Sequence, residues 1–231
     1  MRLLGPEGTY SYYHPDILFT GLGWDAQTAS TLLSRRPVKK VLILGLGGAT
    51  VARQCRVLYP HAEITGVEIN GAVINLAYKY FDLDSINVVV VNTSGQDYLK
   101  KTRRRFDAII DDMWWPKLHS PKPIYVEPKW VELVRSHLGP DGLYAINLYS
   151  RTLDAYEVTT AIKLLKPYFE ELREVRPGPP QETATIVAGF NLCAPREARA
   201  KLQLLPPSII RGLQHVRFLT IKLRERRFRD V

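Results

Sequence analysis

The sequence predicts an α/β protein built on a doubly wound, mostly parallel sheet, and three observations carry that prediction. Short continuous apolar runs recur along the chain, as strands buried on both faces require. Segments of helical character separate them. Glycine-rich or polar turns mark where the runs stop.

Taken in order, residues 1–38 are mixed. They hold an aromatic cluster (Tyr10, Tyr12, Tyr13, His14), a Gly-Leu-Gly-Trp turn ending at Trp24 and a short helix from Asp25 to Leu33. Val41 to Leu44 is the first buried strand, followed by a helix from Thr50 to Tyr59. Glu63 to Ile69 is a second strand, Asn70 to Phe81 a helix, Ile86 to Val91 a third strand and the region around Gly95 to Lys101 a helix. Phe106 to Ile110 reads as the fourth strand, Val126 to Leu138 as a helix and Leu143 to Leu148 as the fifth strand. After a helix from Tyr156 to Phe169, Glu170 to Val175 and Thr183 to Asn191 form two strands joined by an Arg-Pro-Gly-Pro-Pro loop. Pro206-Pro207 divides the C-terminal end into two short helical pieces.

Composition narrows the function classes. The 231 residues are 45% hydrophobic and 24% charged, which is ordinary for a globular protein and argues against disorder. Cys55 and Cys193 are the two cysteines, too few for a disulfide framework or a four-ligand zinc site, so no metal is expected. No N-terminal apolar run precedes a small-residue cleavage site, and no stretch of eighteen apolar residues occurs, so a cytoplasmic protein without membrane contact is expected. The net charge is +9, and residues 196–231 hold ten basic and three acidic residues, or +7. About +2 remains for the other 195 residues, so the body reads as nearly neutral and the basicity as a property of the C-terminal end. There the cations alternate with Ile209, Leu213 and Phe218, a pattern that favours a solvated helix face or a homodimer contact over a nucleic-acid surface.

Two features point to a nucleoside ligand. Gly45-Leu46-Gly47-Gly48 lies between the first strand and its helix, where glycines admit a ligand close to the backbone and a helix N-terminus favours an anionic group. Glu68 ends the second strand, 23 residues after Gly45, where a carboxylate can accept hydrogen bonds from ribose hydroxyls. Thr50 stands where a dinucleotide fingerprint wants its third glycine, so adenosine with an amino-acid tail fits better. Asp112, at the end of the fourth strand, is placed to act as a general base or to hold an acceptor amine, whereas Asp111 reads as a solvated or loop-capping residue. Trp114, Trp115 and Tyr125, with His14, are candidates for an acceptor pocket, and His119 and His14 for carrying a proton.

The ordered series Val41 to Gly48, Gly66-Val67-Glu68-Ile69, Phe106 to Asp112, Gly142 to Leu148 and Ala188 to Leu192 resembles the catalytic domain of the spermidine synthase family, from about Tyr12 to Ala194. The resemblance implies a Rossmann-like class I S-adenosylmethionine-dependent methyltransferase fold, with a seven-stranded sheet whose last hairpin is reversed. It divides the chain into an N-terminal lid (1–38), a catalytic domain (39–195) and a basic helical appendage (196–231). It implies that Gly45 and Gly47, with Leu46 and Gly48 between and beside them, underlie the methionine part of the cofactor. Glu68 and Ile69 would then meet the ribose, Ser94 and Gly95 the adenine, Asp112 the reacting centre, and Tyr13 would match a catalytic-site tyrosine beside the acceptor.

Two departures bear on the reaction. The family's glycine loop carries an aspartate where this chain has Gly48, and its catalytic loop carries a second where this chain has Trp115. Burying an ammonium group without its carboxylate costs on the order of several kcal/mol, so aminopropyl transfer is disfavoured. The expected activity is therefore methyl transfer from S-adenosylmethionine, leaving S-adenosylhomocysteine, to a small amine-bearing or aromatic molecule. Gly48 would leave backbone N–H groups free for the cofactor carboxylate. The alternatives are an aminopropyltransferase using decarboxylated S-adenosylmethionine, or a nucleic-acid or partner-binding protein with a vestigial cofactor site.

Overall fold

A computed structural model of the chain describes residues 1–5, 8–113, 127–149, 156–178 and 183–221. The predicted alternation is present. Strands β1 (Arg2–Gly5) and β2 (Gly8–Tyr12) form an N-terminal hairpin, followed by α1 (Gly23–Ser30). Then come β3 (Lys40–Leu44), α2 (Thr50–Leu58), β4 (Glu63–Glu68), α3 (Gly71–Tyr80), β5 (Val89–Asn92), α4 (Gly95–Lys101) and β6 (Phe106–Asp111). The chain continues through α5 (Pro128–Ser136), β7 (Leu138–Tyr149), α6 (Tyr156–Leu165), β8 (Glu171–Arg176) and β9 (Thr183–Gly189). It ends in α7 (Pro195–Gln203), α8 (Pro207–Leu213) and β10 (Arg217–Thr220).

The main sheet has the order β10-β8-β9-β7-β6-β3-β4-β5. Strands β3 to β7 pair in parallel, while β9 runs antiparallel to β7 and β8, which is the reversed hairpin. The sheet has eight strands rather than seven because β10 adds antiparallel to β8. Residues 217–220 are thus strand where the sequence suggests helix. Their alternation of exposed Arg217, buried Phe218 and exposed Thr220 is the period-2 signature, in a stretch too short to stand out.

Alternation also sorts the core. Val41 and Ile43 of β3 join α1, α2, α7 and α8 on one face, whereas Leu42 and Leu44 pack with Val131, Val134 and Leu165 of α5 and α6 on the other. Both faces of the strand are buried, which explains its unbroken apolar run. No helix among the described residues is long and apolar enough to cross a membrane.

The winding reverses between β3 and β6: the chain steps outward from β3 through β4 to β5, then returns to lay β6 on the other side of β3. In an open sheet of this kind, the crevice at the carboxyl ends of those two strands is where a ligand can enter. The turn at 45–48 and Asp112 both lie there.

Candidate functional site

The end of β3 is a tight left-handed turn. Gly45, Gly47 and Ala49 have φ of 85°, 54° and 66°. A Cβ on Gly45 would come within 2.7 Å of the Asp112 carbonyl oxygen, so glycine is what lets the ends of β3 and β6 lie so close. The Asp112 N–H donates to the Leu44 carbonyl at 2.8 Å, continuing the parallel ladder to the last residue before the loop. Gly45 therefore fixes where Asp112 sits. Gly45 and Leu46 both donate their N–H groups to the Val67 carbonyl, at 2.9 and 3.0 Å.

Glu68 closes the turn from the side of β4. One carboxylate oxygen accepts the Gly47 N–H and the other the Asn70 N–H, each at 3.0 Å. Each oxygen keeps a second lone pair, so the carboxylate can still accept from a ligand's hydroxyl groups. Ile69 beside it is 63% exposed. Ser94 caps α4, accepting the Asp97 N–H at 3.0 Å and donating its hydroxyl to Asp97 Oδ2 at 2.8 Å. A Cβ on Gly95 would lie 2.7 Å from Met113 Sδ, so the residue after Asp112 rests on the start of α4.

Gly48 departs from expectation. Its N–H is not free: it donates to Ser11 Oγ at 2.6 Å, and Ser11 in turn donates to the Tyr10 carbonyl at 2.6 Å. A Cβ on Gly48 would lie 2.8 Å from both Phe81 Cδ1 and Ser11 Cβ. The N-terminal hairpin thus covers the turn, and Thr50 fastens it there by accepting the Tyr12 N–H and donating to the Tyr12 carbonyl, at 2.9 and 2.8 Å. No signal in a mixed N-terminal segment foretold this.

The two aspartates part company because neighbours on a strand point to opposite faces. Asp111 is 1% exposed, and so is neither solvated nor a simple loop cap as the sequence suggests. It accepts the Tyr144 hydroxyl at 2.7 Å and the Met113 N–H at 3.2 Å, while Trp130 Nε1 donates to Tyr144 at 3.3 Å. Burial, and then the Asp111 charge, push the Tyr144 phenol well above its ordinary pKa, so it remains a donor.

Asp112 faces α1. Its Oδ1 accepts from Asn147 Nδ2 of β7 at 2.8 Å and from Gln27 Nε2 of α1 at 3.1 Å. A carboxylate only accepts, so both amides must present nitrogen to it, and that orientation turns their oxygens away. Gln27 Oε1 and Asn147 Oδ1 are buried and have no hydrogen-bond partner among the described residues. Arg53, Arg173, Arg176, Thr183, Thr185 and His215 each have one buried atom in the same state. Gln27 was invisible to sequence reasoning, since α1 is buried all round and shows no apolar stripe; Asn147 stood in a motif with no role attached.

Of the remaining candidates, Tyr13 lies under the Arg53 guanidinium, 4.6 Å from its ring centroid, with Phe81 at 6.3 Å. His14 Nδ1 accepts the Asp16 N–H at 3.1 Å in an exposed local turn. Trp114, Trp115, His119 and Tyr125 lie outside the described residues.

The strand order, the reversed hairpin and the crevice at the carboxyl ends of β3 and β6 define a Rossmann-like α/β fold, one shared by a probable spermidine synthase and a methyltransferase-like protein of known structure. Residues 28–178 match the Spermine/spermidine synthase domain family, and the chain belongs to it. A probable polyamine aminopropyl transferase of Bifidobacterium longum is 31% identical over 141 residues, covering 61% of this chain and 31% of that protein. An eEF1A lysine and N-terminal methyltransferase homolog of Drosophila melanogaster is 29% identical over 142 residues, covering 58% of this chain and 21% of its own. This chain thus spans a third or less of the length of either relative. Among solved structures, a probable spermidine synthase from Corynebacterium glutamicum superposes with a TM-score of 0.68 at 18% identity, covering 86% of this chain and 73% of that one. Human methyltransferase-like protein 13 in complex with SAH gives 0.62 at 24%, with 83% and 89% covered. At such identities these two likenesses bear on the fold alone.

Proposed function

We propose that the chain is an S-adenosylmethionine-dependent methyltransferase whose acceptor is an amine-bearing or aromatic molecule, free or carried on a protein. The observation that carries this reading is Asp112 at the carboxyl end of β6, beside the glycine turn, with its Oδ1 held by the Gln27 and Asn147 amides. The turn at 45–48 and Glu68 fit an adenosyl group, because glycine brings the ends of β3 and β6 together beside a carboxylate that has lone pairs to spare. When bound, S-adenosylmethionine supplies a methyl group on a positively charged sulfur.

The chain's own residues would do the rest. Gln27 and Asn147 hold the Asp112 carboxylate through their amide N–H groups, and so aim it at the acceptor nitrogen or oxygen. Asp112 takes its proton, and the two amide N–H donors fix the carboxylate in place. Positioning and charge neutralisation are what such a centre contributes.

Gly48 favours methyl over aminopropyl transfer. With Phe81 and Ser11 each 2.8 Å from a would-be Cβ, the position has no room for the anionic side chain that the resemblance places there in spermidine synthases. A free Gly48 N–H plays no part in this preference, since Ser11 occupies it. Aminopropyl transfer remains the second reading, supported by the Bifidobacterium relative's name.

Thermal shifts with S-adenosylmethionine and its decarboxylated form separate the two, and preference for the decarboxylated form refutes methyl transfer. Once an acceptor is found, Asp112→Asn should lower turnover about 100-fold or more, the usual worth of a general base. Undiminished turnover removes Asp112 from that role.

A further inference from the structure

The nearly neutral body of the protein is neutral only in sum. The segments leading into the neighbouring strands β3 and β6 are two basic hexapeptides, Arg-Arg-Pro-Val-Lys-Lys at 35–40 and Lys-Lys-Thr-Arg-Arg-Arg at 100–105, with nine cations in twelve residues. They sit at the amino ends of the parallel strands, the edge opposite Asp112.

The fold joins them into one surface. Asp107 Oδ2, at the start of β6, accepts the N–H groups of both Lys39 and Lys40 at 2.8 Å. Glu63, at the start of β4, donates its N–H to the Lys39 carbonyl at 2.8 Å and pairs its carboxylate with Arg104 at 2.6 Å. Arg35 and Arg36 pair with Glu197 and Asp141. Lys39, Lys40, Lys100, Lys101 and Arg103 are exposed and have no carboxylate partner among the described residues.

We propose that this amino-edge surface binds the sugar–phosphate backbone of a nucleic acid. The alternative occupant of a basic surface is an acidic protein, but protein interfaces are built around buried apolar or aromatic anchors. None of the exposed large hydrophobic residues described lies in either hexapeptide. Phosphate contacts need cations and little else. The cations come from the end of α4, the start of β3 and the segments beside them, and are spread along the edge, which suits an extended polyanion better than a small one. Occupation of this edge leaves the crevice at the opposite edge open, so nucleic-acid binding here is independent of the transferase reading.

The test is fluorescence anisotropy on the full chain with labelled duplex RNA and duplex DNA of one sequence, from 50 to 200 mM salt. The logarithm of affinity should fall linearly with the logarithm of salt concentration. Replacing Lys39, Lys40, Lys100, Lys101 and Arg103 by Gln should weaken binding at least tenfold and flatten that slope by about 3–5, roughly one for each phosphate left unneutralised. Replacing the exposed Arg2, Lys129 and Arg217, which lie toward the carboxyl edge on β1 and at the starts of α5 and β10, should leave both within about twofold, the size of change expected from charge remote from the bound strand. Tighter binding of either duplex identifies the source of the backbone and supports the proposal. No binding at 50 mM, equal losses in the two variants, loss confined to a chain trimmed after residue 221, or tighter binding to polyglutamate than to either duplex overturns it.

Discussion

Helix α1 serves two carboxylates, and they are served differently. Asp25, on the helix itself, accepts the backbone N–H groups of Thr20 and Gly21 at 3.0 and 2.7 Å and Gln54 Nε2 at 2.7 Å. Gln54 is itself complete: its other N–H reaches the Leu18 carbonyl at 3.0 Å and its oxygen accepts the Thr28 hydroxyl at 2.7 Å. Two residues along, Gln27 reaches Asp112 with its nitrogen and leaves its oxygen without a partner among the described residues, as Asn147 does from the other side. The first network is closed at Asp25 and Gln54, with His215 Nε2 at its rim left unpaired among the described residues, and the second stands open at two oxygens. A closed network specifies a fold; an open one stores the cost of unpaired acceptors until a donor arrives.

The largest effect should come from breaking the closed network. Asp25→Ala leaves the Thr20 and Gly21 N–H groups and a Gln54 N–H buried without an acceptor, and should destabilise the chain by about 3–5 kcal/mol. The urea midpoint measures it. Asp112→Asn, whose side-chain oxygen can still accept from the Gln27 and Asn147 amides, should shift the same midpoint by no more than about 1 kcal/mol. If the two variants lose similar stability, the contrast between the networks is false.

A finer cut compares glutamines. Gln27→Leu removes one hydrogen bond to Asp112 together with one orphan acceptor, two contributions of opposite sign, so stability should change by less than about 1 kcal/mol. Acceptor binding should suffer instead, with KM raised about tenfold, the equivalent of one lost hydrogen bond of about 1.4 kcal/mol. Gln54→Leu should reverse the pattern, lowering the urea midpoint and leaving KM alone.

Much of this arrangement is written in the sequence, and what is missing has physical reasons. The parallel strands, the glycine turn and Glu68 are legible because each depends on local pattern: an apolar run, a turn, a residue at the end of a run. The opposite fates of Asp111 and Asp112 depend on strand parity and on which helix covers each face, which a run of two aspartates cannot convey. Gln27 and Asp25 lie on a helix buried on every side, where the usual apolar stripe is absent and its polar residues look ready for solvent. Ser11 acts on Gly48 across 37 positions of chain, and β10 completes the sheet with four residues. Such partners are chosen by tertiary contact.

The smallest effect, and the most direct probe of the closed network, is its response to acid. Burial raises the Asp25 pKa above its ordinary 3.8, outweighing the Thr20 and Gly21 N–H groups, the Gln54 amide and the attraction of His215, whose Nε2 lies 3.2 Å from Asp25 Oδ2 without hydrogen-bond alignment. A raised carboxyl pKa means that the folded chain binds this proton more readily than the unfolded one. The resulting stabilisation is full below the unfolded pKa and is lost as pH rises through the folded one. Asp25→Asn cannot titrate, while every other ionisable group is common to both chains. The stability of the wild-type chain relative to Asp25→Asn should therefore rise as pH is lowered from 7 toward 4, read as the difference between their urea midpoints at each pH. A difference that shrinks on acidification would mean that the N–H donors and His215 outweigh burial, and that Asp25 is held as a well-solvated anion by its own network.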